Sequence, residues 1–169
     1  NQSSKSFGYM KTRLPDWDFV DVNYSSHDYF QDNLEDMIEQ LQGLGPVFLI
    51  GHSLGGVYAA HLTQQIDVVG GVTLATPYGG SSMADWAKYF VPSFALLRDI
   101  GKKSKPIRGL QDIKITVPWI QVVSMLGNVP WINAENDGVL TLRSMRAMPG
   151  IEYTEVDTNH YEIMCDDTV

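Results

Sequence analysis

Ser53 lies at the centre of the run Gly51-His52-Ser53-Leu54-Gly55-Gly56, with the apolar residues Val47 to Ile50 before it and a helix-compatible segment after it. The arrangement reads as a nucleophile elbow. In such an elbow a serine sits on a sharp strand-to-helix turn with its hydroxyl lifted clear of the sheet, and glycines let the two backbones approach closely. Gly51 and Gly55 are assigned that task, so replacing either is expected to crowd the turn. A Gly-x-Ser-x-Gly run is short enough to arise by chance or to mark a plain loop. Its meaning therefore depends on the partners the chain supplies.

A serine hydroxyl is a poor nucleophile until a base takes its proton and a third group orients that base. The chain has four histidines. His52 is directed away from Ser53 by its adjacent position. His61 is eight residues beyond Ser53 on the outgoing helix, roughly two turns away and too far to reach back. His27 follows Ser25-Ser26 at a helix start and reads as a surface or capping residue. His160 directly follows the last recognisable strand, which is the carboxyl-end rim where Ser53 also stands, and is the expected base.

The orienting acid should lie on the same rim, between serine and histidine in chain order. Asp137, in the loop after the strand Trp119 to Met125, fits best; the alternative is an ordinary Asn-Asp-Gly turn. Glu135 and Asp157 stand in reserve, and Asp112 precedes the strand. Attack on a carbonyl creates an oxyanion that needs two backbone donors. Leu54 N–H should be one; the second has no visible motif, although Asn1 and Gln2 can be the tail of the loop that supplies it.

These residues need a scaffold, and the hydrophobic pattern describes one. A short helix over Phe7 to Leu14 stops before Pro15. Asp18 to Tyr24 alternates as a strand. Asp28 to Gln42 carries Phe30, Leu34, Met37, Ile38 and Leu41 on one helical stripe, with Ser25, Ser26 or Asp28 as its cap and Gly43 and Pro46 as its end. Val47 to Ile50 is a strand, Leu54 to Gln65 a helix, Val68 to Ala75 a buried strand closed by the loop Thr76 to Ser81. Met83 to Ile100 is strongly apolar and is split by Pro92 into two short helices. Lys102, Lys103, Lys105 and Arg108 fall in a solvated loop. Trp119 to Met125 and Ile151 to Val156 are further strands, with a short helix around Leu140 to Met148 between them.

Alternating strands and helices predict an α/β fold with a mostly parallel sheet covered by helices on both faces, because parallel neighbours require crossover connections. Ligands on such sheets bind at the carboxyl ends of the strands. The 169 residues make one domain, 1–169, with a small cap segment over 82–110. That segment packs on the sheet edge or lines an acyl pocket; in the second case Trp86 and Phe90, with His52 and Tyr78, contact substrate.

Composition narrows the partners. A net charge of −8, from 12 basic and 20 acidic residues, argues against nucleic acid or an anionic membrane surface, and favours a small or neutral substrate. No apolar run approaches the ~20 residues of a transmembrane helix. The single cysteine, Cys165, rules out an intrachain disulfide framework and leaves the compartment, cytoplasmic or secreted, open. No histidine pair has metal-ligand spacing and no Gly-x-Gly-x-x-Gly opens a helix, so neither a metal nor a dinucleotide cofactor is expected.

Taken together, the elbow, Ala75-Thr76-Pro77-Tyr78-Gly79-Gly80-Ser81, Asn136-Asp137-Gly138-Val139 and Asn159-His160 resemble the α/β-hydrolase superfamily, in its bacterial lipase and esterase branch. The resemblance spans about the last two thirds of the chain. It implies a Ser53, Asp137, His160 triad that cleaves carboxylic esters through an acyl-enzyme. Related lipases often carry histidine after the proline of the Thr-Pro loop, where this chain has Tyr78, a departure that weakens the lipase label more than the hydrolase one. Members of the fold ordinarily have further strands before the point corresponding to Asn1 and a helix after the catalytic histidine, so the resemblance also implies a chain shortened at both ends. The same triad would serve an acyltransferase or a thioesterase, and a hydrolase scaffold used only for binding is the contrasting alternative.

Overall fold

The computed structural model describes residues 7–25, 27–81, 99–127, 129, 132 and 134–169. The expected helical pair at 83–100, with Trp86 and Phe90, lies almost wholly outside these residues, as do Asn1, Gln2 and Ser26. Among the described residues the order is α1 (Gly8–Arg13), α2 (Phe30–Leu41), β1 (Val47–His52), α3 (Leu54–Leu62), β2 (Val68–Leu74), α4 (Lys105–Gly109), β3 (Trp119–Ser124), α5 (Leu142–Met145) and β4 (Glu152–Val156). Single 3-10 turns occupy Leu110–Asp112 and Glu162–Cys165.

The four strands form one parallel sheet in sequence order, β1-β2-β3-β4. Gly51 is in register with Thr73, and Thr73 with Gln121, so these three share a face; α3 covers it. The opposite face carries Leu74, Val122 and Val156, where Phe7 and Met10 of the first helical segment pack. Helices therefore lie on both faces, as the alternation predicted. β3 and β4 pair as far as Ser124 and Val156, whereas the β1–β2 ladder ends at His52 and Leu74. The ladder continues into the loops through Ser53 N–H to Leu74 O at 2.9 Å and Ala75 N–H to Val122 O at 2.9 Å. That continuation brings the post-strand segments together on one rim.

The larger core lies between α2, α3 and the sheet. Phe30, Leu34, Met37 and Leu41 of the predicted stripe are all buried, and Phe30 stacks on Tyr58 of α3 with ring centroids 4.1 Å apart. Each such side chain contributes ~1.5–3 kcal/mol on burial, which is what seats α3 against the strands on either side of the elbow.

Three expectations are corrected. Asp18 to Tyr24 is not a strand. Two amides on α2 take the backbone groups that would otherwise seek a neighbouring strand: Gln40 binds Asn23 N–H and C=O at 3.0 and 2.9 Å, and Asn33 binds Ser25 N–H and C=O at 2.9 Å each. Neither Ser25 nor Asp28 caps α2; Tyr29 holds the cap position without a side-chain bond. The basic segment is not all loop either. Ser104 caps α4 by accepting Ile107 N–H at 3.3 Å, Pro106 sits in the first turn where a missing N–H costs nothing, and Pro106 and Ile107 are buried.

Candidate active site

Ser53 joins β1 to α3 with φ 53° and ψ −124°, a conformation that non-glycine residues rarely adopt and that carries strain held by the surroundings. The turn is as tight as the motif suggests, but the glycine that matters differs by one residue. A Cβ on Gly51 would lie 2.7 Å from Gly56 N, and one on Gly56 would lie 1.8 Å from Thr76 Oγ1, while one on Gly55 would meet nothing within 4 Å. Gly51 crowds as expected; Gly55 does not, because α3 turns that position away from the sheet and presses Gly56 against the loop after β2.

His160 follows β4 and Asp137 follows β3. His160 Nε2 is 3.1 Å from Ser53 Oγ, and His160 Nδ1 is 2.7 Å from Asp137 Oδ2. A carboxylate only accepts, so Nδ1 carries the proton, leaving Nε2 to accept from the serine hydroxyl. Asp137 is 1% and His160 3% exposed, so both act with little competition from water. Burial pushes the Asp137 carboxyl up, yet the bonds from His160, Ser124 and Leu140 outweigh it and hold the acid below its ordinary value. The Asn-Asp-Gly turn is present as well: Asn136 Oδ1 accepts Gly138 N–H at 2.9 Å, and Asp137 Oδ1 accepts Val139 and Leu140 N–H at 3.0 and 2.7 Å. The turn fixes one carboxylate oxygen and frees the other for the histidine.

Two contributors escaped the sequence reading. Ser124, the last residue of β3, donates to Asp137 Oδ2 at 2.6 Å; its only signal was a hydroxyl ending an apolar strand on the rim. Gly127, at φ 152°, lets the following loop lie so close that a Cβ there would sit 2.0 Å from the Asp137 carbonyl carbon.

The other residues considered fall elsewhere. Glu135, Asp157 and Asp112 are exposed, as is His27. His61 is bound at Nε2 to Pro106 O at 2.9 Å and sits edge-on to Phe30. Leu54 opens α3, at a position where a backbone N–H has no intrahelical acceptor. Tyr78 faces the core rather than the rim: it is 4% exposed, accepts Trp119 Nε1–H at 3.0 Å and meets Thr73 Oγ1 at 2.9 Å. Gln121 extends this buried chain by donating to Thr76 O at 3.1 Å, which anchors the loop behind the elbow. His52 is 7% exposed, and its Nε2–H donates to the His160 carbonyl at 2.8 Å. The Tyr78 hydroxyl and the His52 Nε2–H are thus both engaged within the protein. Among the described residues no three His, Cys, Asp or Glu side chains are placed to hold a metal ion, and no helix is long and apolar enough to cross a membrane.

The sequence matches the model of the alpha/beta hydrolase family over residues 6–151. The chain belongs to that family. No functionally curated sequence matches this alpha/beta hydrolase, but solved structures do. The mature Bacillus licheniformis lipase BlEst2 superposes with a TM-score of 0.73 at 18% identity, over 96% of this chain and 82% of that one. Its propeptide form gives 0.74 at 18%, with the match spanning 96% of this hydrolase and 45% of that chain. The N-formylmaleamic acid deformylase of Pseudomonas putida gives 0.56 at 17%, over 99% and 84%. At identities this low the superpositions establish a shared fold alone.

Proposed function

We propose that the protein is a serine hydrolase that cleaves carboxylic esters through an acyl-enzyme on Ser53. The observation that carries the reading is the unbroken chain Ser53 Oγ, His160, Asp137 at 3.1 and 2.7 Å, starting from a strained serine on the rim of a parallel sheet. In the first half-reaction Ser53 Oγ attacks the ester carbonyl while His160 Nε2 takes its proton. The oxyanion meets Leu54 N–H at the start of α3, and Asp137 Oδ2 holds the imidazolium that forms. His160 then returns the proton to the departing alcohol, leaving an ester on Ser53. In the second half-reaction water loses a proton to His160 and attacks that ester, and the acid leaves as Ser53 regains its hydrogen. A small neutral or acyl-chain ester suits the acidic chain.

An acyltransferase or thioesterase would use the same residues, with an acceptor other than water or a thioester donor. A scaffold that only binds would have no need of the buried, fully bonded acid. A fluorophosphonate probe should label wild-type protein at Ser53 and leave Ser53→Ala untouched, with p-nitrophenyl ester turnover lost in parallel. Folded wild-type protein that takes up no label refutes the reading; products containing a competing alcohol would move it to acyl transfer.

A further inference from the structure

His160 is pinned through its backbone as well as its ring. Its N–H donates to Asp137 O at 3.0 Å, and its carbonyl accepts His52 Nε2–H at 2.8 Å. The two imidazoles lie 4.9 Å apart, tilted by 50°. His52 immediately precedes Ser53, so this one bond ties the turn that carries the serine to the loop that carries the base.

We infer that His52 is a positioning residue that sets the separation between Ser53 and His160, an inference that rests on the serine-hydrolase reading. The carbonyl can only accept, so His52 must keep its proton on Nε2. Burial and the neighbouring His160 lower its pKa to about 4. It therefore donates as a neutral ring and places no second positive charge beside the base. Without the donor, the 160 loop loses its tether to the elbow while keeping its contacts with Asp137. The ring then drifts relative to Ser53, and displacements of about 1 Å at a reacting pair cost on the order of 10²-fold in rate.

The test compares His52→Gln, which keeps a terminal N–H donor, with His52→Met, which has similar length and no donor. Melting transitions establish that each is folded. With p-nitrophenyl butyrate, His52→Met should lose about 10- to 100-fold in kcat with KM moving less than about threefold, and fluorophosphonate labelling should slow in proportion. His52→Gln should recover much of the loss. The low-field proton resonance of His160 Nδ1–H gives a readout independent of turnover; it should weaken in His52→Met and persist in His52→Gln. Should His52→Met not fold, His52→Asn replaces it, since its amide stops one methylene short of the carbonyl and should behave as the Met variant does. A donor-less variant with wild-type kcat and an unchanged resonance, or a Gln variant no better than it, overturns the role of His52 and leaves the hydrolase reading intact. A wild-type protein that neither labels nor turns over refutes the hydrolase reading instead, and the resonance alone then decides whether His52 positions His160.

Discussion

Ser124 Oγ and His160 Nδ1 share one acceptor: both donate to Asp137 Oδ2, at 2.6 and 2.7 Å. With Oδ1 occupied by Val139 and Leu140 N–H, the carboxylate receives four hydrogen bonds and has no freedom to rotate.

Removing the charge should therefore be far more damaging than removing one support. In Asp137→Asn the amide favours the opposite imidazole tautomer, and kcat should fall ~10³- to 10⁴-fold. In Ser124→Ala one bond to a charged group is lost, worth ~1.5–3 kcal/mol, and kcat should drop roughly 10- to 150-fold while fluorophosphonate still labels Ser53. Steady-state kinetics on both variants separate the two. Equal losses would mean that Ser124 is as essential as the acid.

At the elbow the space around each glycine sets an order of tolerance. Gly56→Ala drives a methyl into Thr76 and Gly51→Ala drives one into the α3 backbone, and overpacking of this kind costs ~1–3 kcal/mol or more. Gly55→Ala meets open space and replaces a helical glycine, so it should be neutral or stabilising by up to ~1 kcal/mol. Urea midpoints of the three variants should rank Gly55→Ala highest; a collapse of that variant would contradict the packing described.

Stability should respond to acid in two windows. His52 drops from 6.5 unfolded to about 4 folded because burial disfavours its charged form, so between those values the unfolded chain holds more protons. Stability then falls by about 1.4 kcal/mol per unit as pH is lowered. His61, lowered by burial as well, adds in the same direction. Asp137 is depressed below 3.8, so its contribution is complete above that value and is lost below it. Denaturation of wild type and His52→Gln at pH 7 and 4.5 should show a clearly shallower loss in the variant. Parallel slopes would remove His52 as the source.

The tight serine turn, the placement of Asp137 and His160 on the rim beside Ser53, and the parallel sheet were legible because each rests on local pattern: glycine spacing, turn residues at strand ends, and apolar runs separated by helical stripes. What escaped depended on partners distant in sequence. Asp18 to Tyr24 alternates as a strand does, but Gln40 and Asn33 supply its hydrogen bonds from a helix. Tyr78 sits in a rim loop, yet Trp119 Nε1–H, 41 positions away, draws its hydroxyl into the core. The choice between Gly55 and Gly56 turned on the rotation of α3 against Thr76, which spacing alone does not specify.

The Ser53–His160 hydrogen bond joins positions 107 apart in the chain. Contacts of such separation close the largest loops and slow folding, since chain entropy is lost before the contact rewards it. The β1–α3–β2 unit can gather around the elbow from nearby sequence, but β4 must dock before serine and base can meet. Under the proposed mechanism, recovery of Ser53 reactivity during refolding reports completion of the β1-β2-β3-β4 sheet, and a chain caught half-assembled would keep its hydroxyl inert.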